Sequence, residues 1–164
     1  MVSFGIPTMS RIAFSSVLGK EYRTALETIL FFNPQQERTR SEIMKSVEMY
    51  GSPCIIENGD QLQVSVEAFS DVQTLFALHL GEGPAVLAAV LIYLRLDVER
   101  IVVLHIAEGG EYGPSGAYAE EMVALRLIAK LREIARSIRG VRSLSLFYGQ
   151  SAAIEIPVRR RPTA

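Results

Sequence analysis

The chain has few of the features that would assign it at once to a class of protein. It contains one cysteine, Cys54, in 164 residues, so an internal disulfide is excluded, and so are zinc sites built from several cysteines. Seventeen basic residues nearly balance eighteen acidic ones, giving a formal net charge of −1. This balance argues against capture of nucleic acid or an anionic membrane by the whole surface. A single thiol fits a reducing interior, so we expect a cytoplasmic protein.

Long apolar runs are absent as well. The most apolar stretch, Ala85–Leu94, is about half as long as the roughly 20 residues that a membrane-spanning helix needs. Residues 1–10 have neither the basic start nor the apolar region of a cleaved signal peptide. The composition, with 49% apolar and 21% charged residues, is instead sufficient to bury a core. We expect one domain over residues 1–158, followed by a basic tail at 159–164.

The first half of the chain predicts a strand, two helices and a β-hairpin. Asn58-Gly59 stands between two apolar runs, Cys54–Ile56 and Gln61–Ala68, and the second run alternates apolar with polar residues. Asn-Gly between such runs is typical of a hairpin turn, so we expect the two runs to pair. The elements predicted before the hairpin are a strand over Arg11–Leu18 and helices over Lys20–Phe32 and Gln36–Met49.

The second half predicts further strands and one long amphipathic helix. In that helix Leu127, Leu131 and Ile134 recur at steps of four and three, which places them on one buried face. A glycine-rich turn at Gly109–Gly116 is expected to open the helix, and Gly140 is expected to end it. The strands predicted around it are Thr74–Leu80, Ala85–Leu96, Arg100–Ala107, Val141–Tyr148 and Ile154–Val158.

This order of elements indicates the α/β (α+β) fold class. A run of antiparallel strands is followed by a strand–turn–helix–strand unit, which forms a right-handed crossover between parallel strands. We therefore expect a mixed, mostly antiparallel sheet flanked by helices. Within it, residues 100–107 and 141–148 should form a parallel pair.

The segment from Glu99 to Tyr148 carries a resemblance to a known superfamily. It contains the apolar strand ERIVVLHIA, the turn EGGEYGPSGAYAEEM, the long helix and the strand VRSLSLFY. In this order and pattern the chain resembles the GNAT superfamily of acyl-CoA-dependent N-acyltransferases. The resemblance implies a GNAT-like fold and a transferase that moves an acyl group from acetyl-CoA, or another acyl-CoA, to an amine.

The resemblance also implies which residues hold the acyl-CoA. In that superfamily the strand before the turn binds the pantetheine arm through its backbone, and the turn and helix start bind the pyrophosphate. The physical reason is that amides at a helix start point outward and the helix dipole favours negative charge there. On this chain the pantetheine contacts fall on Leu104 and Ile106. The pyrophosphate contacts fall on Gly113, Ser115, Gly116, Ala117 and Tyr118.

The turn departs from the superfamily's pattern, Gln/Arg-x-x-Gly-x-Gly/Ala. Aligned on residues 111–116, it keeps the last glycine, Gly116, but has Glu111 at the first position and Pro114, which has no N–H, in place of a glycine. All the charged residues from 108 to 121 are acidic and would repel a pyrophosphate. A second hypothesis therefore stays open: a GNAT-like domain without catalysis that acts as a binding or assembly module.

Acyl transfer to an amine needs a base for the amine proton and an acid for the departing thiolate. Glu108 and His105 are the candidate bases, at the end and in the middle of the strand before the turn, and Tyr148 is the candidate acid. Each histidine and tyrosine also has a structural interpretation. His105 and His79 could be hydrogen-bonded core residues, and Tyr148 a packed ring. No metal site is predicted.

The expected partners are an acyl-CoA and a small amine or a protein amine. An uncovered sheet edge and apolar face near residues 141–158 would be costly in a monomer, so we expect a homodimer. The arginines from Arg159 to Arg161 make nucleic acid a remote third candidate. No membrane partner is predicted.

Overall fold

The structure is a computed structural model that describes residues 11–31, 51–69, 71–146 and 154–159. Over these residues the chain is a mixed α/β protein with a mostly antiparallel sheet. Its strands are β1 (Ile12–Ser15), β2 (Leu18–Gly19), β3 (Pro53–Asn58), β4 (Gln61–Val66), β5 (Gln73–His79), β6 (Val86–Arg95), β7 (Arg100–Glu108), β8 (Ser143–Leu146) and β9 (Ile154–Pro157). Its α-helices are α1 (Arg23–Phe31) and α2 (Val123–Arg136). The predicted helix over Gln36–Met49 lies outside the described residues.

The larger sheet has six strands in the order β1-β5-β6-β7-β8-β9. β7 and β8 run parallel, with Arg100 opposite Ser143 and Val103 opposite Leu146. The other neighbouring strands run antiparallel. The predicted parallel pair is therefore confirmed over these residues. Apolar clusters cover β7 on both faces, which explains its nearly continuous run of apolar side chains.

A smaller sheet has the order β2-β4-β3 and contains the predicted hairpin. β3 and β4 pair in antiparallel fashion along their whole length. Gly59, in the turn between them, has a φ of 64°. Hairpin turns that match the twist of the strands need this positive φ, so the predicted hairpin is confirmed. Its two-residue loop is Gly59-Asp60, because Asn58 still belongs to β3 and pairs with Gln61.

β2 corrects the prediction of one strand over Arg11–Leu18. That segment divides into β1 in the larger sheet and β2 in the smaller one. The division follows Ser15, whose hydroxyl donates to the Val17 carbonyl and accepts from the Val17 N–H. Such local bonds replace strand pairing and turn the chain.

α1 covers one face of the larger sheet together with the smaller sheet. It follows a turn of 3₁₀ helix at Lys20–Tyr22 and lies within the predicted range Lys20–Phe32. Leu26, Ile29 and Leu30 are buried in an apolar cluster with inward side chains of β4 to β7. The helix thus fixes the position of the smaller sheet over the larger one.

α2 covers the opposite face, and its buried stripe contains the predicted leucines. Leu127 and Leu131 are fully buried against side chains of β5 to β8. The helix begins at Val123 rather than directly after Gly116 as predicted. The residues between them include a 3₁₀ turn, and Met122 has a left-handed backbone with a φ of 50°. No helix in the described segments is long and apolar enough to cross a bilayer.

Candidate functional site

The predicted acyl-CoA site centres on residues 109–122, which connect β7 to α2. We call this region, with the adjoining ends of β5 and β7, the loop end of the sheet. The Gly109 N–H donates to the Ala88 carbonyl at 2.8 Å. Ala88 is the extra residue of a bulge at which the β5–β6 pairing changes register. The bulge therefore anchors the start of the loop on β6.

The loop satisfies several of its backbone amides internally. The Gly116 N–H donates to the Gly113 carbonyl at 2.9 Å, and the Tyr118 N–H donates to the Glu111 carbonyl at 2.7 Å. The Ala119 N–H donates to the Gly116 carbonyl at 3.3 Å. The amides of Gly116 and Tyr118, which were predicted to bind a pyrophosphate, are thus already occupied. The other two predicted loop contacts, Ser115 and Ala117, are exposed and Gly113 is buried.

Gly116 has a packing role in this loop. A Cβ at position 116 would collide with the backbone carbonyl group of Glu111 and with the carbonyl oxygen of Gly110. The glycine is therefore needed so that two segments of the loop backbone can approach each other. In the superfamily's pattern this glycine lets a phosphate approach the backbone. In this chain Gly116 instead lets the backbone of residues 110–111 approach.

The start of α2 offers a different group of amides. The first intrahelical bond runs from the Arg126 N–H to the Met122 carbonyl at 3.0 Å. The N–H groups of residues 123–125 have no acceptor within the helix, and the Met122 side chain does not cap them. Arg126 lies one turn into the helix and forms an ion pair with Glu121 at 3.3 Å. An anion at the loop end would therefore be accepted best at the start of α2.

Three aromatic side chains meet over the loop end. His79 Nδ1 and the Tyr112 hydroxyl lie 2.8 Å apart. The Tyr112 and Tyr118 rings stack with centroids 5.3 Å apart, and the His79 ring meets both edge-on. Burial, helped by the charges of Tyr118, Glu111 and Glu121, raises the pKa of Tyr112 to about 12. Tyr112 therefore keeps its proton at neutral pH and can donate it to His79 Nδ1.

His79 was predicted as a core residue and Tyr118 as a pyrophosphate contact, and no role was predicted for Tyr112. The three meet because His79 ends β5 and the loop folds back from β7 onto β5 and β6. This arrangement depends on a bulge and on long-range pairing, neither of which has a local sequence pattern. One signal was available: Tyr112 and Tyr118 are the two aromatic residues in a segment that is otherwise small and acidic.

Glu108 is the last residue of β7 and lies opposite Ala89 of β6. Burial raises the pKa of its carboxyl group above the ordinary value, because desolvation disfavours the charge. A carboxylate with a raised pKa is a stronger base than an exposed one. Of the two predicted bases, Glu108 is the one at the loop end.

His105 lies on the other face of the sheet. It is opposite Ile92, a residue of the apolar cluster beneath α1, so the two side chains share that face. Burial lowers the pKa of His105 to about 4, and a hydrogen bond with the backbone of Gly51 acts in the opposite direction. The ring is therefore neutral at physiological pH. These features agree with the structural interpretation, a hydrogen-bonded core histidine.

β7 contains a bulge of its own next to the parallel pair. Ile92 lies opposite His105 and Tyr93 lies opposite Val103, so Leu104 is the extra residue. The parallel pairing with β8 is described up to Val103, immediately before the bulge. Bulges bend a strand and increase its local twist. The second half of β7 is thereby turned relative to its first half.

The two predicted pantetheine contacts lie in this second half. Leu104 is buried in the cluster on the α1 side, and Ile106 packs against the cluster on the α2 side. Their side chains thus belong to opposite faces, whereas the predicted contact concerns the backbone between them. Tyr148, the predicted acid, lies outside the described residues.

Comparison of the chain with protein-family models, with curated proteins and with solved structures finds no match. The fold itself defines the class of the chain, a mixed α/β protein with a parallel crossover at one side of a mostly antiparallel sheet. Function must be inferred from the chemistry of the side chains and amides themselves.

Proposed function

We propose that the chain is a GNAT-like N-acyltransferase that transfers an acyl group from acetyl-CoA, or another acyl-CoA, to an amine. The observation that carries this proposal is the crossover from β7 through the loop and α2 to the parallel strand β8, together with the bulge in β7 at Leu104, where β7 pairs with β6. A bulge bends the strand, and a bent β7 beside a parallel partner would suit the narrow pantetheine arm, which in the GNAT superfamily binds the backbone of this strand.

The diphosphate of the acyl-CoA would bind at the start of α2. The amides of Ala124 and Leu125 and the helix dipole favour negative charge there, whereas Val123 is fully buried. Arg126 already neutralises Glu121, which removes one of the repulsive acids. This position replaces the predicted cradle at residues 113–118, whose amides at Gly116 and Tyr118 are bonded within the loop.

The chemistry requires one base and one acid. The amine nitrogen forms a bond with the thioester carbon, the carbon–sulfur bond breaks, and the amine gives up a proton. Glu108, with its raised pKa at the end of β7, is the proposed acceptor of that proton. His105 suits this role less well, because a pKa of about 4 makes it a weak base. Tyr148 stays the proposed donor to the thiolate.

Binding and chemistry can be tested separately. Acetyl-CoA and longer acyl-CoAs should raise the melting temperature, since a ligand at a hundredfold excess over its Kd stabilises the native state by about 2.7 kcal/mol. In amide NMR spectra the largest shifts are expected at residues 123–125, not at 113–118. The absence of both effects at millimolar acyl-CoA would contradict the proposal.

The base is tested with Glu108→Gln. The variant should bind acyl-CoA as the native protein does, but transfer to a panel of amines should slow by about a hundredfold or more, as expected when a general base is removed. Glu82→Gln, at an exposed position in the turn between β5 and β6, is the matched control and should leave transfer unchanged. Equal rates for the two variants would exclude Glu108 as the base.

A second candidate is a GNAT-like domain without catalysis that acts as a binding or assembly module. The loop favours it, because the amides of Gly116 and Tyr118 are closed by carbonyl groups and four glutamates lie between residues 108 and 121. This candidate predicts no stabilisation by acyl-CoA and a homodimer in light scattering. A strict monomer that acyl-CoA also fails to stabilise would argue against both candidates.

A further inference from the structure

A cavity of about 490 Å³ lies at the end of the sheet opposite to the loop end. It opens where β7 and β8 begin and where α2 has just ended. We call this region the cavity end. Its volume falls within the range of small-molecule sites, about 300–1,000 Å³. The residues that line it are Val98, Glu99, Gly140, Val141, Arg142 and Val158.

The walls of the cavity are held by hydrogen bonds between distant segments. Arg95 Nη2 donates to the carbonyls of Val98 and Arg139, at 2.8 and 2.9 Å. The Arg142 N–H donates to the Glu99 carbonyl at 2.7 Å, and the Val158 N–H donates to the Arg142 carbonyl at the same distance. The turn before β7, the end of α2 and the end of β9 are thus fixed relative to one another.

Gly140 allows the closest contact in this wall. It has a φ of 94°, and a Cβ at this position would lie 3.0 Å from Val98 Cγ1. The positive φ disfavours other residues, and the short contact would push Val98 away. The valines at 98, 141 and 158 then provide an apolar lining. The cavity is therefore partly open to solvent, with walls held in place by these contacts and an apolar part formed by the valines.

Arginines outnumber acids around the cavity. Its lining has one charge of each sign, Arg142 and Glu99. Arg139 and Arg159 adjoin lining residues in the chain, Asp97 and Arg100 adjoin them as an ion pair, and Arg95 bridges the wall. The one acidic lining residue is Glu99, whose carboxylate lies 3.9 Å from Arg142 Nε, with both side chains largely exposed. An exposed pair at that distance is weak, so the guanidinium remains available for a ligand's carboxylate or phosphate.

We propose that this cavity binds a small organic anion, in which Arg142 pairs with a carboxylate or phosphate group and the valines contact an apolar body. The proposal is independent of the acyltransferase function, because the cavity and the loop end lie at opposite ends of the sheet. The arginines select the charge of the ligand, and the volume limits its size.

The test uses the full chain and four six-carbon probes: hexanoate, hexyl phosphate, hexan-1-ol and hexylamine. Titration followed by amide NMR should give saturable shifts at residues 98–99 and 140–142 with one or both anions. The two anions distinguish a carboxylate site from a phosphate site. Equal or tighter binding of the alcohol or the amine, or no saturable shift with either anion, would overturn the proposal.

Variants test the assignment of the charge. Arg142→Gln should weaken anion binding by about tenfold, because a charge-assisted pair is lost. Glu99→Gln should tighten binding by about two- to threefold, because a like charge is removed. Arg136→Gln, an exposed position on α2 that does not line the cavity, is the matched control and should change the affinity by less than about twofold. An unchanged affinity in Arg142→Gln, with an unchanged melting temperature, would overturn the proposal.

Discussion

The loop end and the cavity end of the larger sheet both contain a glycine in a short connection, but the two glycines act differently. Gly116 lets the loop backbone approach itself, and the amides beside it are used within the loop. Gly140 takes a positive φ that closes a wall while leaving a void of about 490 Å³ beside it. A glycine-rich segment is therefore evidence of close backbone approach, and the geometry decides whether a ligand or the chain itself approaches.

The comparison also concerns charge. At the loop end the acids Glu111, Glu120 and Glu121 accompany an aromatic cluster, and Arg126 is paired with one of them. At the cavity end arginines predominate, and several of their donors hold backbone carbonyls. A net charge near zero thus conceals two ends of opposite sign. The whole-chain charge excluded little about local ligands, because electrostatic recognition depends on the local field.

Both ends depend on α2, so the largest expected effect comes from its buried stripe. Leu127→Ala should lower the free energy of unfolding by about 2–5 kcal/mol, because a fully buried leucine leaves a cavity. Leu125→Ala, at a position that is 61% exposed, is the matched control and should cost less than about 0.5 kcal/mol. Urea unfolding measures both. Equal losses in the two variants would show that α2 does not hold the two ends through this face.

The next effect comes from His105, which lies between the two ends on the other face. Its folded pKa of about 4 is below the ordinary value of 6.5. The unfolded chain therefore binds a proton that the native state excludes. Stability should be full above pH 6.5 and should fall as the pH is lowered toward 4, by about 3 kcal/mol in total.

Urea unfolding of the native protein and of His105→Asn between pH 7 and pH 4 measures this dependence. The variant has no titrating ring at this position, so the decrease in unfolding free energy that protonation of His105 causes should disappear. His79→Asn is the control at the loop end and should keep that loss, because His105 is still present. A His105→Asn profile parallel to that of the native protein would contradict the assignment.

A smaller effect distinguishes the glycines of two loops. Gly116→Ala should lower the free energy of unfolding by about 1–3 kcal/mol, because the new Cβ meets the Glu111 carbonyl group. It should also speed hydrogen exchange at the Tyr118 amide, whose acceptor is that carbonyl. Gly83→Ala has open space around the new Cβ and is the control; it should leave stability unchanged or slightly higher. Unchanged stability in Gly116→Ala would mean that the loop is open, as the acyltransferase pattern first suggested.

Most of the fold could be predicted from the sequence because its elements have strong local patterns. The Asn58-Gly59 turn, the alternation in β4 and the apolar stripe of α2 each indicate one structure. The start of α2 was misplaced because Met122 adopts a left-handed backbone that its residue type does not indicate. The segment before α1 was predicted as a single strand, because the hydrogen bonds between Ser15 and Val17 that divide it leave no trace in the hydrophobic pattern.

The two ends could be predicted much less well, for a different reason. The internal bonds of the loop depend on which carbonyl groups its amides meet, and the GNAT-like pattern specifies only residue types. The cavity is lined by residues of three separate connecting segments, before β7, before β8 and after β9. No local pattern marks such a site, because its parts become neighbours only after the sheet and α2 have packed.

The smallest effect tests whether the aromatic cluster fixes the loop end. Tyr112→Phe removes the buried hydroxyl that lies 2.8 Å from His79 Nδ1 and keeps the ring that stacks on Tyr118. The expected loss is about 1 kcal/mol, the typical net value of one hydrogen bond. Tyr118→Phe, at a position that is 39% exposed, is the control and should cost less. If the hydrogen bond fixes the loop, hydrogen exchange should quicken at residues 112–119 in Tyr112→Phe while exchange at 140–142 stays unchanged. Faster exchange at both ends would mean that the two ends are coupled through α2 and do not behave as separate regions.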